Sequence, residues 1–167
     1  MESSQQDSGE SPPPESTVTI DQPPPQPPSQ IPLTWPADGT LTLPWVQNLM
    51  STLNHSSRHL KPSDLPTILP VKVFDSLILT GSKILHKEAN CVVVEPEGDG
   101  NEVVVVGDVH GQLHDVLWLL NEGAGLPNEN RWFVFNGDYV DRGAWGLETF
   151  LILLAWKVSV EKFRFLC

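Results

Sequence analysis

Two short runs of sequence combine acidic residues with histidine or arginine, and each follows a stretch of apolar residues. The first run is Gly107–Gln112, which contains Asp108 and His110, and the second run is Gly137–Gly143, which contains Asp138. Carboxylate oxygens together with an imidazole nitrogen suit Mn²⁺, Fe or Zn²⁺ better than Ca²⁺, which prefers oxygen ligands alone. The two runs therefore predict a site for divalent transition-metal ions.

The second run also offers an arginine beside the acidic residues. Arg142 has a forked guanidinium that can hold a phosphate through two parallel hydrogen bonds. A carboxylate such as that of Asp138 can bridge two cations, because each of its oxygens has lone pairs to spare. Two cations beside an arginine clamp are suited to hydrolysing a phosphate ester by in-line displacement. These residue types therefore indicate metal-dependent hydrolysis of phosphate esters.

Each of these residues, taken alone, has a simpler interpretation. Asp108 could cap a helix N-terminus, and a single histidine such as His110 is more often hydrogen-bonded than metal-bound. The adjacent Asp141 and Arg142 could form a local salt bridge. We interpret His114, one helical turn after His110, as an exposed helix residue. The occurrence of both runs at the ends of two strands is what favours the metal site.

Buried strands have to bring the two runs together. Glu102–Val106 and Trp132–Phe135 are apolar runs of strand length, and we expect both to be buried, the first on both faces. A helix is predicted after each of them: from His110 to Glu122, with its apolar residues on one stripe, and from about Gly146 to Lys157, which is apolar nearly all round and expected to be buried. This order predicts a βαβ unit with parallel strands, whose carboxyl ends carry the two runs. If the strands are neighbours, the acidic residues of both runs reach one metal position.

The rest of the chain divides into a tail, a helical segment and a C-terminal end. Residues 1–33 hold clustered prolines and no Lys or Arg, so we predict a disordered Pro-rich tail, with binding of regulatory proteins as the alternative. Residues 34–90 show helical periodicity and are predicted to be a helical lead-in. Residues 91–158, with a turn at 96–101, are expected to form the N-terminal part of a catalytic domain, and 159–167 a divergent C-terminal tail.

Composition excludes several classes of function. The formal net charge is −11, from 10 Lys+Arg and 21 Asp+Glu, which argues against a nucleic-acid partner. No apolar run reaches the roughly 18–20 residues that span a bilayer, the N-terminus is not a secretory signal, and two cysteines form no zinc or disulfide framework. A nucleotide-binding domain is disfavoured, because no GxGxxG or P-loop lysine is present. We expect a soluble protein of the nucleus or cytoplasm, without a membrane partner.

The two runs resemble the first two signature motifs of the phosphoprotein phosphatase family, dinuclear-metal serine/threonine phosphatases of the calcineurin-like fold. Segments that resemble the plant type-seven branch are Trp35–Gly39, Ile84–Glu88 and Gly143–Thr149. The likeness covers about Leu33 to Val158. It implies an α/β fold, the N-terminal part of a calcineurin-like metallophosphoesterase β-sandwich with flanking helices, after the Pro-rich tail.

The resemblance also implies a role for each site residue. Asp108 and His110 would bind the first metal ion, and Asp138 would bridge both. Arg142 would hold the substrate phosphate, and Asp141 would orient a catalytic histidine that the next motif of the family supplies. The implied cofactors are two divalent cations, Mn, Fe or Zn. The implied substrates are proteins phosphorylated on serine or threonine.

The sequence after Val158 departs from the family's pattern. Residues 159–167 contain no Gly, Asn or His where the family has a Gly-Asn-His-Glu motif, so we expect a chain truncated before the third motif, without a complete dinuclear site. We expect little or no activity, and an exposed apolar surface at Phe150–Trp156 that favours aggregation. The alternative is a non-catalytic isoform that acts as a protein-interaction or regulatory module, which leaves open whether this chain is itself an enzyme.

Overall fold

The computed structural model of the chain describes residues 32–89, 91, 93–95, 100–160 and 163–165. The predicted disordered tail and the predicted turn at 96–101 lie largely outside these residues. The helices are α1 (Leu43–His59), α2 (Leu65–Ile68), α3 (Val71–Leu85), α4 (Leu113–Trp118) and α5 (Gly146–Ser159), and the strands are β1 (Glu102–Val106), β2 (Arg131–Phe135) and β3 (Phe163–Phe165).

The three strands form one parallel sheet in the order β1-β2-β3. Val104 is opposite Phe133 and Val106 is opposite Phe135, so both strands end at the same edge of the sheet. The prediction of a βαβ unit with parallel strands is therefore confirmed, and β1 and β2 are direct neighbours in the sheet. Strand β3 was not predicted, since it lies in the segment expected to be a C-terminal tail. In this strand Phe163 pairs with Phe133 of β2.

Helix α5 forms the centre of the hydrophobic core. Its residues Leu151–Trp156 are buried, and the rings of Phe133, Phe135 and Phe163 pack with centroids 5.0–6.3 Å apart on the adjoining face of the sheet. The prediction of an exposed apolar surface at Phe150–Trp156 is wrong for the part of the chain that the structure describes. The reason is that α1 and α3, from the predicted lead-in, both pack against α5.

Strand β1 differs from its prediction, because within the described part of the chain only one of its faces packs against the core. Val104 and Val106 pack against the core, whereas Val103 and Val105 are 40% and 69% exposed. β1 lies at the edge of the sheet, and the two valines that pack against the core, Val104 and Val106, are those opposite Phe133 and Phe135. Apolar composition alone could not distinguish this edge strand from a central one.

A buried lysine connects α5 to the third strand. Lys157 is 3% exposed, and its Nζ donates hydrogen bonds to the Phe163 carbonyl oxygen at 2.9 Å and to Glu88 Oε1 at 2.5 Å. A buried ammonium needs such acceptors, since removal from water otherwise disfavours the charge. Lys157 therefore ties β3 to the segment that follows α3.

Helix α4 begins later than the sequence predicts. The predicted helix starts at His110, but His110 and Gly111 have positive φ angles of 43° and 69°, which an α-helix cannot contain. The α-helix therefore begins at Leu113, and after Trp118 it continues as a π-helical turn to Gly123. Among the described residues, no helix combines the length and the apolarity that crossing a membrane requires.

Candidate active site

The two runs form loops that lie side by side at the carboxyl ends of β1 and β2. The first loop is residues 107–112 and the second loop is residues 136–145. Backbone hydrogen bonds join them: Val109 N to Asp138 O (3.1 Å), His110 N to Asp138 O (3.0 Å), Gly111 N to Tyr139 O (2.9 Å), Gly143 N to His110 O (2.8 Å) and Trp145 N to Gly111 O (3.3 Å). The backbone therefore fixes how the two loops face each other.

Three predicted ligands converge between these loops. One ligand atom from each of Asp108, His110 and Asp138 lies within 4.8 Å of the other two, and this is the one such group of three or more among the described residues. His110 Nε2 is 3.6 Å from Asp108 Oδ2, and His110 Nδ1 is 3.3 Å from Asp138 Oδ1. A first-row cation binds such ligand atoms at about 2.0–2.2 Å, so the three side chains would have to move slightly closer together to hold one.

The hydrogen bonding of His110 leaves one ring nitrogen for a cation. Its Nδ1 lies 3.0 Å from the carbonyl oxygen of Val140. A carbonyl can only accept, so we assign the proton to Nδ1, and Nε2 keeps its lone pair on the side of Asp108. A backbone carbonyl that orients an imidazole in this way is common around metal-bound histidine. The donor set therefore suits the transition-metal ions predicted from the sequence.

Backbone strain is concentrated in the site. Among the described residues other than glycine, positive φ angles occur at His110 (43°), Asp138 (54°), Asp141 (67°) and Arg142 (59°). Each such residue costs of order 1 kcal/mol, and it persists because the surrounding hydrogen bonds hold it. Nothing in the sequence indicates this strain, because aspartate, histidine and arginine adopt ordinary φ angles elsewhere.

One glycine permits the close contact of the two loops. A Cβ atom on Gly143 would lie 2.3 Å from the carbonyl oxygen of His110 and 2.6 Å from that of Gly111. Real Cβ atoms do not approach other atoms so closely, and the obstructing atoms belong to the backbone. By contrast, a Cβ atom on Gly107 would meet nothing within 4 Å. Of these two motif glycines, Gly143 is the one that the packing requires.

Arg142 and Asp141 are both exposed, and they do not pair with each other. Among the described residues, no ion pair within 4.0 Å involves either of them. The alternative of a local Asp141-Arg142 salt bridge is therefore not formed. The guanidinium of Arg142 can meet an external anion, in the same loop that carries the predicted ligand Asp138.

His114 lies in a more constrained position than the sequence suggested. It is half-buried rather than exposed, its Nε2 is 3.1 Å from Ser57 Oγ, and its ring packs edge-on against Trp145 at 4.6 Å. Burial first, and then the positive charge of Arg58, lower the pKa of His114 below 6.5, against a smaller opposing effect of Asp115. The prediction of an exposed residue is wrong because these neighbours come from α1 and the second loop, far away in sequence.

Comparison with known proteins identifies the family and the relatives of the chain. Residues 102–165 match the family described as calcineurin-like phosphoesterase. The chain is 63% identical over 132 residues to serine/threonine-protein phosphatase 7 of Arabidopsis thaliana, which covers 79% of this chain and 31% of that protein. It is 38% identical over 90 residues to the serine/threonine-protein phosphatase 4 catalytic subunit of Saccharomyces cerevisiae, covering 54% of this chain and 27% of that protein.

A second plant relative is longer. The serine/threonine-protein phosphatase 7 long form homolog of Arabidopsis thaliana is 55% identical over 130 residues, covering 78% of this chain and 10% of that protein. The chain thus spans about a third or less of the length of the curated relatives it matches. The matched domain contains all five predicted site residues and strand β3. The chain belongs to the phosphoprotein phosphatase family of calcineurin-like phosphoesterases, in the type-seven branch.

Proposed function

We propose that this chain carries metal-binding and phosphate-binding loops for the hydrolysis of phosphoserine and phosphothreonine in proteins. The observation that carries the proposal is the convergence of Asp108, His110 and Asp138 between two strained, hydrogen-bonded loops. Phosphoproteins are the proposed substrates, because the relatives are named serine/threonine-protein phosphatases.

Each site residue has a proposed task. Asp108 and His110 Nε2 would hold one cation, and Asp138 would hold the same cation while offering a second oxygen to a neighbouring one. Bound Mn, Fe or Zn would supply Lewis acidity toward water and the phosphate. Arg142 would bind the phosphate through its two parallel N–H groups. Asp141 would orient a histidine that acts as a proton donor.

We further propose that this chain alone hydrolyses phosphopeptides slowly. The described residues hold one group of three ligands, and that group leaves only Asp138 for a second cation. A single cation with an arginine still binds phosphate, but it stabilises the attacking and the leaving oxygens less well than two cations do. Metal binding without rapid turnover is the expected behaviour.

The first experiment compares the purified chain with Asp138→Asn. Mn²⁺ affinity is measured by titration calorimetry, and hydrolysis of a phosphoserine peptide is measured with added Mn²⁺. We expect Asp138→Asn to weaken Mn²⁺ binding by about tenfold or more, and to abolish whatever slow hydrolysis the wild type shows. A folded wild-type chain without Mn²⁺ binding would refute the proposal, as would hydrolysis that the substitution leaves unchanged.

A second candidate function is a non-catalytic binding module. It is favoured by the uncovered face of β1, where Val103 and Val105 are exposed beside the partly buried Trp132. Apolar sheet faces of this kind commonly pack against another polypeptide. A chain that binds Mn²⁺ but shows no hydrolysis at any Mn²⁺ concentration would favour this candidate over slow catalysis.

A further inference from the structure

We propose that His114 is a positioning residue for the second loop, acting through the ring of Trp145 and held in turn by Ser57 of α1. The inference rests on the proposed function, because it assigns the second loop, with Arg142, to phosphate binding. It adds a connection between the loop and a helix that lies outside the matched domain of residues 102–165.

The hydrogen bond to α1 fixes the orientation of the imidazole. The single hydroxyl proton of Ser57 is donated to the carbonyl oxygen of Asn54 at 2.9 Å. Ser57 Oγ must therefore accept in its contact with His114, so His114 Nε2 carries a proton and donates across the 3.1 Å separation. This bond specifies both the tautomer and the direction of the ring. The lowered pKa of His114 is consistent with a neutral ring near pH 7.

The oriented imidazole then restrains Trp145. The two ring planes meet at 82° with centroids 4.6 Å apart, the edge-to-face geometry that aromatic rings favour. Trp145 is the last residue of the second loop: its N–H donates to the Gly111 carbonyl at 3.3 Å, and its carbonyl accepts from Thr149 N at 2.9 Å, at the start of α5. Arg142 lies three residues earlier, so restraint of Trp145 limits the positions that the guanidinium can reach.

The metal ligands are held by a different set of contacts. His110 and Asp138 are fixed by backbone hydrogen bonds between the loops, and His114 takes part in none of them. Loss of the His114 ring should therefore loosen the end of the loop that follows Arg142 while the ligand group stays in place. A residue needed only for folding would affect cation binding and phosphate binding together.

The test uses the full chain and two probes, Mn²⁺ and inorganic phosphate, both followed by titration calorimetry. Phosphate is titrated at saturating Mn²⁺. We expect His114→Ala to weaken phosphate binding by about two- to tenfold, the range of an aromatic contact, while the Mn²⁺ dissociation constant changes less than about twofold. Trp145→Leu should have the same effect, and the double variant should lose no more than either single one.

His114→Phe is the conservative variant, since it keeps an aromatic ring against Trp145 but lacks the donor to Ser57. We expect it to recover most of the phosphate affinity that His114→Ala loses, and Ser57→Ala to show a smaller loss than His114→Ala. Equal losses of Mn²⁺ and phosphate affinity in His114→Ala, or no rescue by phenylalanine, would overturn the inference. If His114→Ala does not fold, Trp145→Leu and Ser57→Ala test the inference in its place: each should weaken phosphate binding more than Mn²⁺ binding, and equal losses would overturn it.

The outcome also separates this inference from the proposed function. A wild-type chain that binds neither Mn²⁺ nor phosphate would refute the proposed function and the inference together. A wild-type chain that binds both probes, with variants indistinguishable from it, would refute only the role of His114.

Discussion

Replacement of Gly143 by alanine places a methyl group where the second loop touches the backbone of the first. The new Cβ would lie 2.3 Å from the His110 carbonyl oxygen and 2.6 Å from that of Gly111, whereas real Cβ atoms stay beyond 3.0 Å. The loops must therefore separate by at least roughly 0.7 Å, the difference between the nearest contact and that limit. No side chain can move aside to relieve the contact, because both obstructing atoms are backbone.

The expected cost follows from two terms. Overpacking typically costs about 1–3 kcal/mol, and loss of the hydrogen bond from Gly143 N to His110 O costs about 0.5–1.5 kcal/mol more. We therefore expect the free energy of unfolding to fall by about 1.5–4.5 kcal/mol. Because His110 moves relative to Asp138, Mn²⁺ affinity should also fall by about tenfold or more, which corresponds to about 1.4 kcal/mol.

The assay is urea denaturation together with Mn²⁺ calorimetry, and Gly107→Ala is the matched control. A Cβ on Gly107 meets nothing within 4 Å, and its φ is not positive, so this variant should keep its Mn²⁺ affinity and be as stable as the wild type or slightly more so. Wild-type Mn²⁺ affinity in a folded Gly143→Ala chain would refute the reasoning, and so would equal effects of the two substitutions.

Three further predictions concern strain, the buried ion pair and pH. Arg142→Gly relieves the strain of a φ of 59°, so the free energy of unfolding, measured with urea, should rise by about 0.5–1 kcal/mol, while inorganic phosphate should bind more weakly. A loss of stability would contradict the claim that the backbone is strained at this residue. Lys157→Met removes the donor shared by Glu88 and the Phe163 carbonyl, so the free energy of unfolding should fall by about 3 kcal/mol in the same assay while Mn²⁺ affinity stays unchanged. A fall of less than about 1 kcal/mol would show that the ion pair contributes little to stability. The folded-state pKa of His114 lies below 6.5, so the unfolded chain binds the proton more readily than the folded chain does. The wild type should therefore lose stability relative to His114→Phe as pH falls below about 6.5, whereas the two proteins should show the same pH dependence between about 7 and 8. Urea titrations at each pH measure this difference.

The sequence predicted those parts of the site that depend on local pattern and chain order. Apolar runs located β1 and β2, and the position of Asp108 and Asp138 directly after them placed both residues at one edge of the sheet. This inference succeeds because parallel strands joined by a helix must start and end at the same edges. The types of ligand atom predicted, carboxylate oxygen and imidazole nitrogen, follow directly from the aspartate and histidine residues.

What the sequence did not predict depends on contacts between distant segments. The sequence did not show that α1 and α3 would cover Phe150–Trp156, nor that Val105 would lie on the face of β1 away from the core. Strand β3 is only three residues long, and such a short segment has too little pattern for periodicity to detect. The restraint of His114 joins three elements, and no spacing along the chain encodes it.

The left-handed backbone at His110, Asp138, Asp141 and Arg142 has a consequence for laboratory evolution of this protein. A library randomised at these positions and screened for heat resistance would enrich glycine and asparagine, the residues that tolerate this conformation best. Each enriched substitution would remove a proposed cation ligand, the guanidinium of Arg142 or the carboxylate of Asp141. Screening for thermostability alone would therefore select against the residues proposed to bind metal and phosphate. Such a screen has to keep these four codons constant.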